Sequence, residues 1–280
     1  MIPAIRPRQD TDRCGCLDCR GVDATVLRRS TLDSLVWSVS LCRRNPSIPA
    51  LALGLVLAGQ LLNSGLAQSA PAPVVDLTEP LVPFGLLVVL RGYVAGVAAG
   101  ELTGQQVSLS AGLRHSFRRG IALVGVLAVV VAFAISVPSI VTLPLLVGAF
   151  VSGVNPMATF GVESVFVALL ALHVVPLLFV LYACWFAFEA CVIGRYGPVD
   201  SLRVSWAITR GRKRKFLLVL VATAGSIAVT TLIGDVPGTG GRFLPSGPVT
   251  RAVAASLGEL TAIVWYGVYA HLYVQETVRR

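Results

Sequence analysis

DSLVWSVSLCRR (residues 33–44) stands directly before the first long apolar run of the chain. Two related stretches, LSAGLRHSFRRG (109–120) and DSLRVSWAITRG (200–211), stand before the third and fifth runs. Aligned on Ser34, Ser110 and Ser201, they share a hydrophobe three residues on (Trp37, Leu113, Val204) and a small residue six on (Ser40, Ser116, Ala207). A second hydrophobe follows seven on (Leu41, Phe117, Ile208), and Arg nine on (Arg43, Arg119, Arg210). Spacing of three to four residues places the hydrophobes on one helical face, with Arg on the polar side. Each stretch therefore reads as an amphipathic helix lying in a membrane interface. A recurrence at the same place before alternate runs is the mark of an internal repeat.

The runs themselves occupy about 47–67, 81–103, 120–150, 162–194, 215–234 and 250–275. All exceed the roughly 18 residues needed to cross a bilayer. With 13% charged residues against about 25% in ordinary globular proteins, and a mean hydropathy of +0.78, the chain is too apolar for a soluble domain. The net charge of +9 would suggest nucleic acid in a soluble protein, but the placement of Arg and Lys explains it as topology. Twenty of the 23 basic residues fall before the first run, between runs two and three, between four and five, or at the C-terminus. The other loops carry Arg242 and Arg251 alone. Both termini and the even-numbered loops are therefore expected in the cytoplasm.

Two runs, 120–150 and 162–194, are longer than one crossing requires. Splitting the first at Pro138 leaves pieces too short to cross, and the basic loops at both ends demand an even number of crossings. Two is the economical number, with a bend near Pro138 and Pro144 and a kink at Pro176, where proline removes a helix hydrogen bond. The expected fold is all-α: a polytopic membrane bundle of six transmembrane helices, in three repeats of interfacial helix plus transmembrane hairpin. Residues 31–280 form that membrane domain, and residues 1–30 are expected as a disordered cytoplasmic tail or as sequence preceding the true start. The first apolar run begins too far from Met1 for a cleavable signal peptide, although Ala67-Gln-Ser-Ala70 imitates a cleavage site.

The DSLVWSVSLCRRNP start, the three interfacial helices and the six runs together resemble a family of uncharacterised prokaryotic, notably archaeal, six-helix membrane proteins. That group is similar to the membrane domain of glycerophosphoryl diester phosphodiesterases. The resemblance covers about residues 30–275 and implies architecture. In those enzymes catalysis belongs to a separate soluble barrel, for which this chain has no room.

Within the runs a few residues stand out. Arg91 lies in the second, where a charge is costly unless paired or hydrated. Glu189 and Glu259 are its expected partners, and His173 beside Pro176 is a further titratable group at depth. Such a set serves either as an ion or proton relay or as an ion pair that fixes the helices. Gly92, Gly96, Gly100 and Gly104 recur every four residues, a packing pattern of membrane helices. Arg210, Arg212, Lys213, Arg214 and Lys215 form a basic run at a membrane mouth, suited to anionic lipid headgroups. Trp206, Trp265, Tyr266, Tyr269 and Tyr273 read as interfacial and packing aromatics.

Cys14, Cys16 and Cys19 form a C-x-C-x2-C cluster that lacks the fourth ligand of a closed zinc or iron–sulfur site. Disulfides are not expected on cytoplasmic segments. No Walker loop, HExxH or G-x-S-x-G occurs. The expected function is accordingly a non-enzymatic membrane scaffold or partner subunit, homo-oligomeric or bound to another membrane protein. A small-molecule or ion transporter built on Arg91 with Glu189 or Glu259 is the alternative, and a metal or redox sensor at the cysteines a further one. No nucleic-acid partner is expected.

Overall fold

The computed structural model describes residues 4–7, 21–69, 71–153, 161–211, 213–233 and 248–279. Among them stand ten helices and no strand: α1 (Thr25–Arg28), α2 (Thr31–Arg44), α3 (Ser47–Ser69), α4 (Ala72–Leu102), α5 (Leu109–Val151), α6 (Val162–Ala183), α7 (Ala187–Val192), α8 (Pro198–Gly211), α9 (Lys213–Ile233) and α10 (Pro248–Arg279).

The first amphipathic stretch is a helix for local reasons. Ser30 caps α2: its hydroxyl accepts from the Asp33 N–H, and the Asp33 carboxylate accepts from the Ser30 N–H. Asn45-Pro46 ends it, because the residue before proline avoids helical geometry. The chain then turns by 80° into α3. The third stretch is likewise a separate 14-residue helix, α8. The second is not. Residues 109–120 are the opening turns of the 43-residue α5, since nothing between Arg118 and Ala122 breaks a helix.

That continuity changes which side of the second stretch is buried. In α2 the buried residues include Ser34, Ser38 and Leu41, and in α8 they are Ser201, Ser205, Ile208 and Thr209. Within the 109–120 stretch of α5 the buried positions are Gly112 and Ser116, while Ser110 and Phe117 are exposed. The burial register is thus two residues later than the sequence alignment on Ser110 predicts. In that register Ser38, Ser116 and Ser205 become equivalent, and each meets a tight place on a long helix. A Cβ on Gly267 of α10 would collide with Ser38 Oγ. A Cβ on Gly92 of α4 would lie 3.1 Å from Ser116 Oγ. Ser205 fills the break between α6 and α7.

That break interrupts the expected 162–194 span. Three residues, Cys184 to Phe186, leave the helix, and orphaned backbone groups at such a buried gap need partners. Ser205 Oγ supplies both: it donates to the Ala183 carbonyl (2.8 Å) and accepts from the Phe186 N–H (3.0 Å). The helix otherwise continues through Pro176.

The long helices pair as neighbours in sequence: α3 with α4, α5 with α6, α9 with α10. α4, α7 and α10 also contact one another and form the interior, with Tyr93, Phe186, Leu272 and Tyr273 fully buried. The outward faces of α3, α5 and α9 are apolar, with Leu57, Ile121 and Leu218 more than half exposed. Among the described residues three stretches are long and apolar enough to cross a membrane: Gly85–Leu102, Leu109–Phe133 and Val174–Val192. The bent pair α2–α3 is a fourth if counted as one span.

Parts of the segment expected to be a disordered tail are packed. Ile5, Val22 and Val26 are each 3% exposed or less. The Ile5 N–H donates to the Ile193 carbonyl, Arg6 Nε donates to the Gly194 carbonyl (2.7 Å), and the Tyr273 hydroxyl donates to the Ile5 carbonyl. Gln275 Nε2 donates to the carbonyls of Val26, Leu27 and Arg29, ending α1 from the side of α10. Apolar residues at 5, 22 and 26 explain the docking, because each buries a side chain against the base of α10 or α7.

Candidate functional site

Arg91 faces the interior of α4, on the side toward α7. Its Nε lies 3.0 Å from Glu189 Oε1, and its Nη2 lies 2.8 Å from Oε1 and 3.0 Å from Oε2. Nη2 also reaches the Trp185 carbonyl at 3.4 Å, a long contact. The Glu189 side chain is fully buried and that of Arg91 is 16% exposed. Three rings surround the guanidinium, with centroids 4.4 Å (Phe188), 5.6 Å (Tyr266) and 5.5 Å (Tyr269) away. Bidentate geometry and aromatic faces are what a planar guanidinium uses best out of water. Of the two partners the sequence offered, the fold selects Glu189.

The pair is sealed on the Glu189 side only. Arg91 lines a cavity of about 210 Å³ together with Trp185, Thr223, Ser226, Thr261, Trp265, Tyr266 and Tyr269. Some of its polar groups satisfy one another: Thr223 with Tyr269 at 2.7 Å, and Trp265 Nε1 donating to Ser226 Oγ at 2.8 Å. The buried Trp185 Nε1 has no acceptor among the described residues.

Glu259 lies elsewhere. It lines a second cavity of about 320 Å³ between α3, α4 and α10, with Gln60, Leu86, Leu90 and Ala255. Its Oε2 is buried with no hydrogen-bond partner among the described residues. Gly258 borders both cavities, and a Cβ there would meet nothing within 4 Å.

The glycine series divides. Gly92 makes the close approach to Ser116, and Gly96 is buried. Gly100 instead makes room for the returning chain at Gln105 and Val107, and Gly104 lies past the end of α4 with φ +68°. These last two are features of the turn after α4, where a left-handed glycine closes the helix, and do not join two long helices. In the basic run, Arg210 and Lys213 are exposed, but Lys215 turns inward and its Nζ donates to Gln275 Oε1 at 2.6 Å. Arg212 and the side chains of Arg214 and His173 lie outside the described residues, as do Cys14, Cys16 and Cys19. Tyr266, Tyr269 and Tyr273 are buried in the interior, whereas Trp206 is exposed.

A further buried polar cluster escaped the sequence reading. His271, fully buried, takes a contact from Arg29 Nη1 at Nε2 (3.2 Å) and meets Ser34 Oγ at Nδ1 (3.2 Å). Arginine only donates, so Nε2 accepts and the proton sits on Nδ1. That proton is donated to Ser34 Oγ, which donates in turn to the Ser30 carbonyl at 2.9 Å. The cluster ties the start of α2 to α10. Trp185, Gln60 and Gly258 were also missed; a lone Gln inside the first apolar run was the available signal for Gln60. Among the described residues no three His, Cys, Asp or Glu side chains gather to hold a metal.

A family model described as a domain of unknown function (DUF7847) matches residues 31–276. No curated protein and no solved structure matches the chain.

Proposed function

The chain belongs to the DUF7847 family, and from its geometry we propose that it is a six-span, non-enzymatic protein of the cell membrane that holds a small solute as a transporter or permease component. The spans are α3, α4, α5, α6–α7, α9 and α10, each of at least 21 residues and so about 30 Å or longer. Exposed apolar faces on α3, α5 and α9 support a lipid environment. Basic residues at one end of the hairpins put both termini in the cytoplasm, with Arg210 and Lys213 positioned for anionic headgroups.

The three units are 31–102, 109–192 and 198–279. Their serines support the repeat: Ser116 of the second unit packs on α4 of the first, and Ser205 of the third on the α6–α7 break of the second. Ser38 of the first packs on α10 of the third, which closes the ring. The residues just before these contact points, Arg91 on α4, Trp185 in the α6–α7 break and Tyr266 on α10, all line the 210 Å³ cavity. The cavity thus lies where the repeat axis would run. We propose that the likeness to the membrane domain of glycerophosphoryl diester phosphodiesterases is one of architecture alone.

The observation that carries the solute reading is that the buried Arg91–Glu189 pair opens on one side onto this cavity. An ion pair serving only as a brace gains nothing from an adjoining void, since voids in a bundle cost packing energy. The test uses purified protein in liposomes and a panel of small amphiphiles with cationic, neutral and anionic head groups. For one head-group class, flux should exceed that of protein-free liposomes at least tenfold, and Gly258→Leu, which fills the junction of the cavities, should abolish it. Equal flux in wild type and Gly258→Leu for every class sinks the reading. A scaffold is the second reading, favoured by the closed, bidentate side of the same pair. It expects Arg91→Leu to lower abundance in a protein that shows no flux at all.

A further inference from the structure

We propose that the 320 Å³ cavity at Glu259 is a binding site for a lipophilic amine, held as its ammonium form against the glutamate carboxylate. The proposal rests on the solute-binding reading above and names the class of solute.

The cavity is lined mainly by Ala, Leu, Val and Gly side chains from α3, α4 and α10. Glu259 lines it, and the buried Oε2 of its carboxylate has no hydrogen-bond partner among the described residues. Arg91 on α4 is already engaged by Glu189 and forms no ion pair with Glu259. A buried carboxylate oxygen left without a donor is unfavourable, so the site is completed by a group that brings both positive charge and N–H bonds. The apolar walls demand that the rest of that group be hydrocarbon. A protonated primary or secondary amine on a short alkyl or aryl body meets both requirements. A quaternary ammonium does not, because it has no N–H, and among the described residues no aromatic face lines this cavity to replace the bond.

The position of the mouth agrees with such a ligand. Gln60 at the rim is exposed, and it lies thirteen residues into α3, which starts at Ser47, so about 20 Å along that helix. The opening is therefore on the flank of the bundle, between α3 and α10, at the height of the lipid hydrocarbon. A cavity of about 320 Å³ is at the small end of ligand pockets. Gln60 adds an amide oxygen at the rim that accepts a second ammonium N–H.

The experiment is thermal unfolding of the purified full chain in one detergent, with octylamine, octanol or octyltrimethylammonium as added probe. Octylamine should raise the midpoint by at least ~4 °C at saturation, and the other two by less than half of that. Glu259→Gln, which keeps the shape and removes the charge, should lose the octylamine shift while retaining the wild-type midpoint without probe. Ala255→Leu, which fills the cavity from the same helix, should lose it too and serves if Glu259→Gln does not fold. Equal shifts with octanol, an undiminished shift in Glu259→Gln, or no shift in the wild type overturns the proposal. Octylamine binding of this kind without flux in liposomes upholds the site and overturns the transport reading. Flux indifferent to both substitutions overturns the site and leaves transport standing.

Discussion

Glu189 and Glu259 sit on two inner segments that touch, yet their surroundings are opposite. Glu189 is fully buried and bonded through both oxygens to Arg91, whose guanidinium is itself flanked by aromatic faces. Glu259 lines an apolar cavity, and its buried Oε2 has no hydrogen-bond partner among the described residues. A charge closed by its own fold belongs to the framework; one left open is available to something from outside. Charge in an apolar run marks both, and the partner tells them apart.

The sharpest way to break this comparison is to delete one carboxylate at a time. Glu189→Leu leaves the Arg91 guanidinium buried and unpaired, and should cost about 3–5 kcal/mol or prevent folding, read by denaturation in detergent. Glu259→Leu removes no protein bond and should change stability by less than about 1 kcal/mol, in either direction. Similar losses in the two variants would erase the distinction.

The repeat contacts give a smaller effect. Ser205→Ala leaves the Ala183 carbonyl and the Phe186 N–H without their shared partner, and should cost about 1–3 kcal/mol. Gly267→Ala forces a methyl against Ser38 Oγ and should cost a similar amount through overpacking, recovered in part by Ser38→Gly. Gly258→Ala, by contrast, adds its methyl to open space and should be neutral or stabilising by up to about 1 kcal/mol. Measured midpoints of the three variants order framework against cavity.

The smallest effect lies at the start of α2. The Ser30 backbone N–H, and then its hydroxyl, hold the Asp33 carboxyl below its usual range. A depressed carboxylate stabilises the fold above its ordinary pKa, about 3.9, and that contribution fades as pH falls through the folded value. Ser30→Ala should lower the midpoint by about 1–2 °C at neutral pH. The gap between wild type and variant should narrow in acid; a gap independent of pH contradicts the cap.

Much of the framework was legible. The three amphipathic stretches are helical, and the long apolar runs are long helices whose ends differ from the predicted bounds. Helix α4 starts at Ala72, well before residue 81, because hydropathy marks only the apolar part of a helix and Asp76 and Glu79 hid its first turns. The continuous α5 and the broken α6–α7 were not legible. The first depends on the absence of a stop signal. The second depends on a serine 19 residues from the gap it fills.

By itself the sequence determined an all-helical chain, the repeated stretches, and Arg91 with two candidate partners. These follow from local period, from caps such as Ser30 and Asn45-Pro46, and from the rarity of charge in apolar runs, all of which act within a few residues. Only the tertiary structure decided that Arg91 takes Glu189, that Glu259 faces a cavity instead, and that Lys215 turns inward to Gln275. Those choices rest on which helices meet and at what height. The meeting points are set by close contacts such as Ser38 with Gly267 and Ser116 with Gly92, between residues that no local pattern relates.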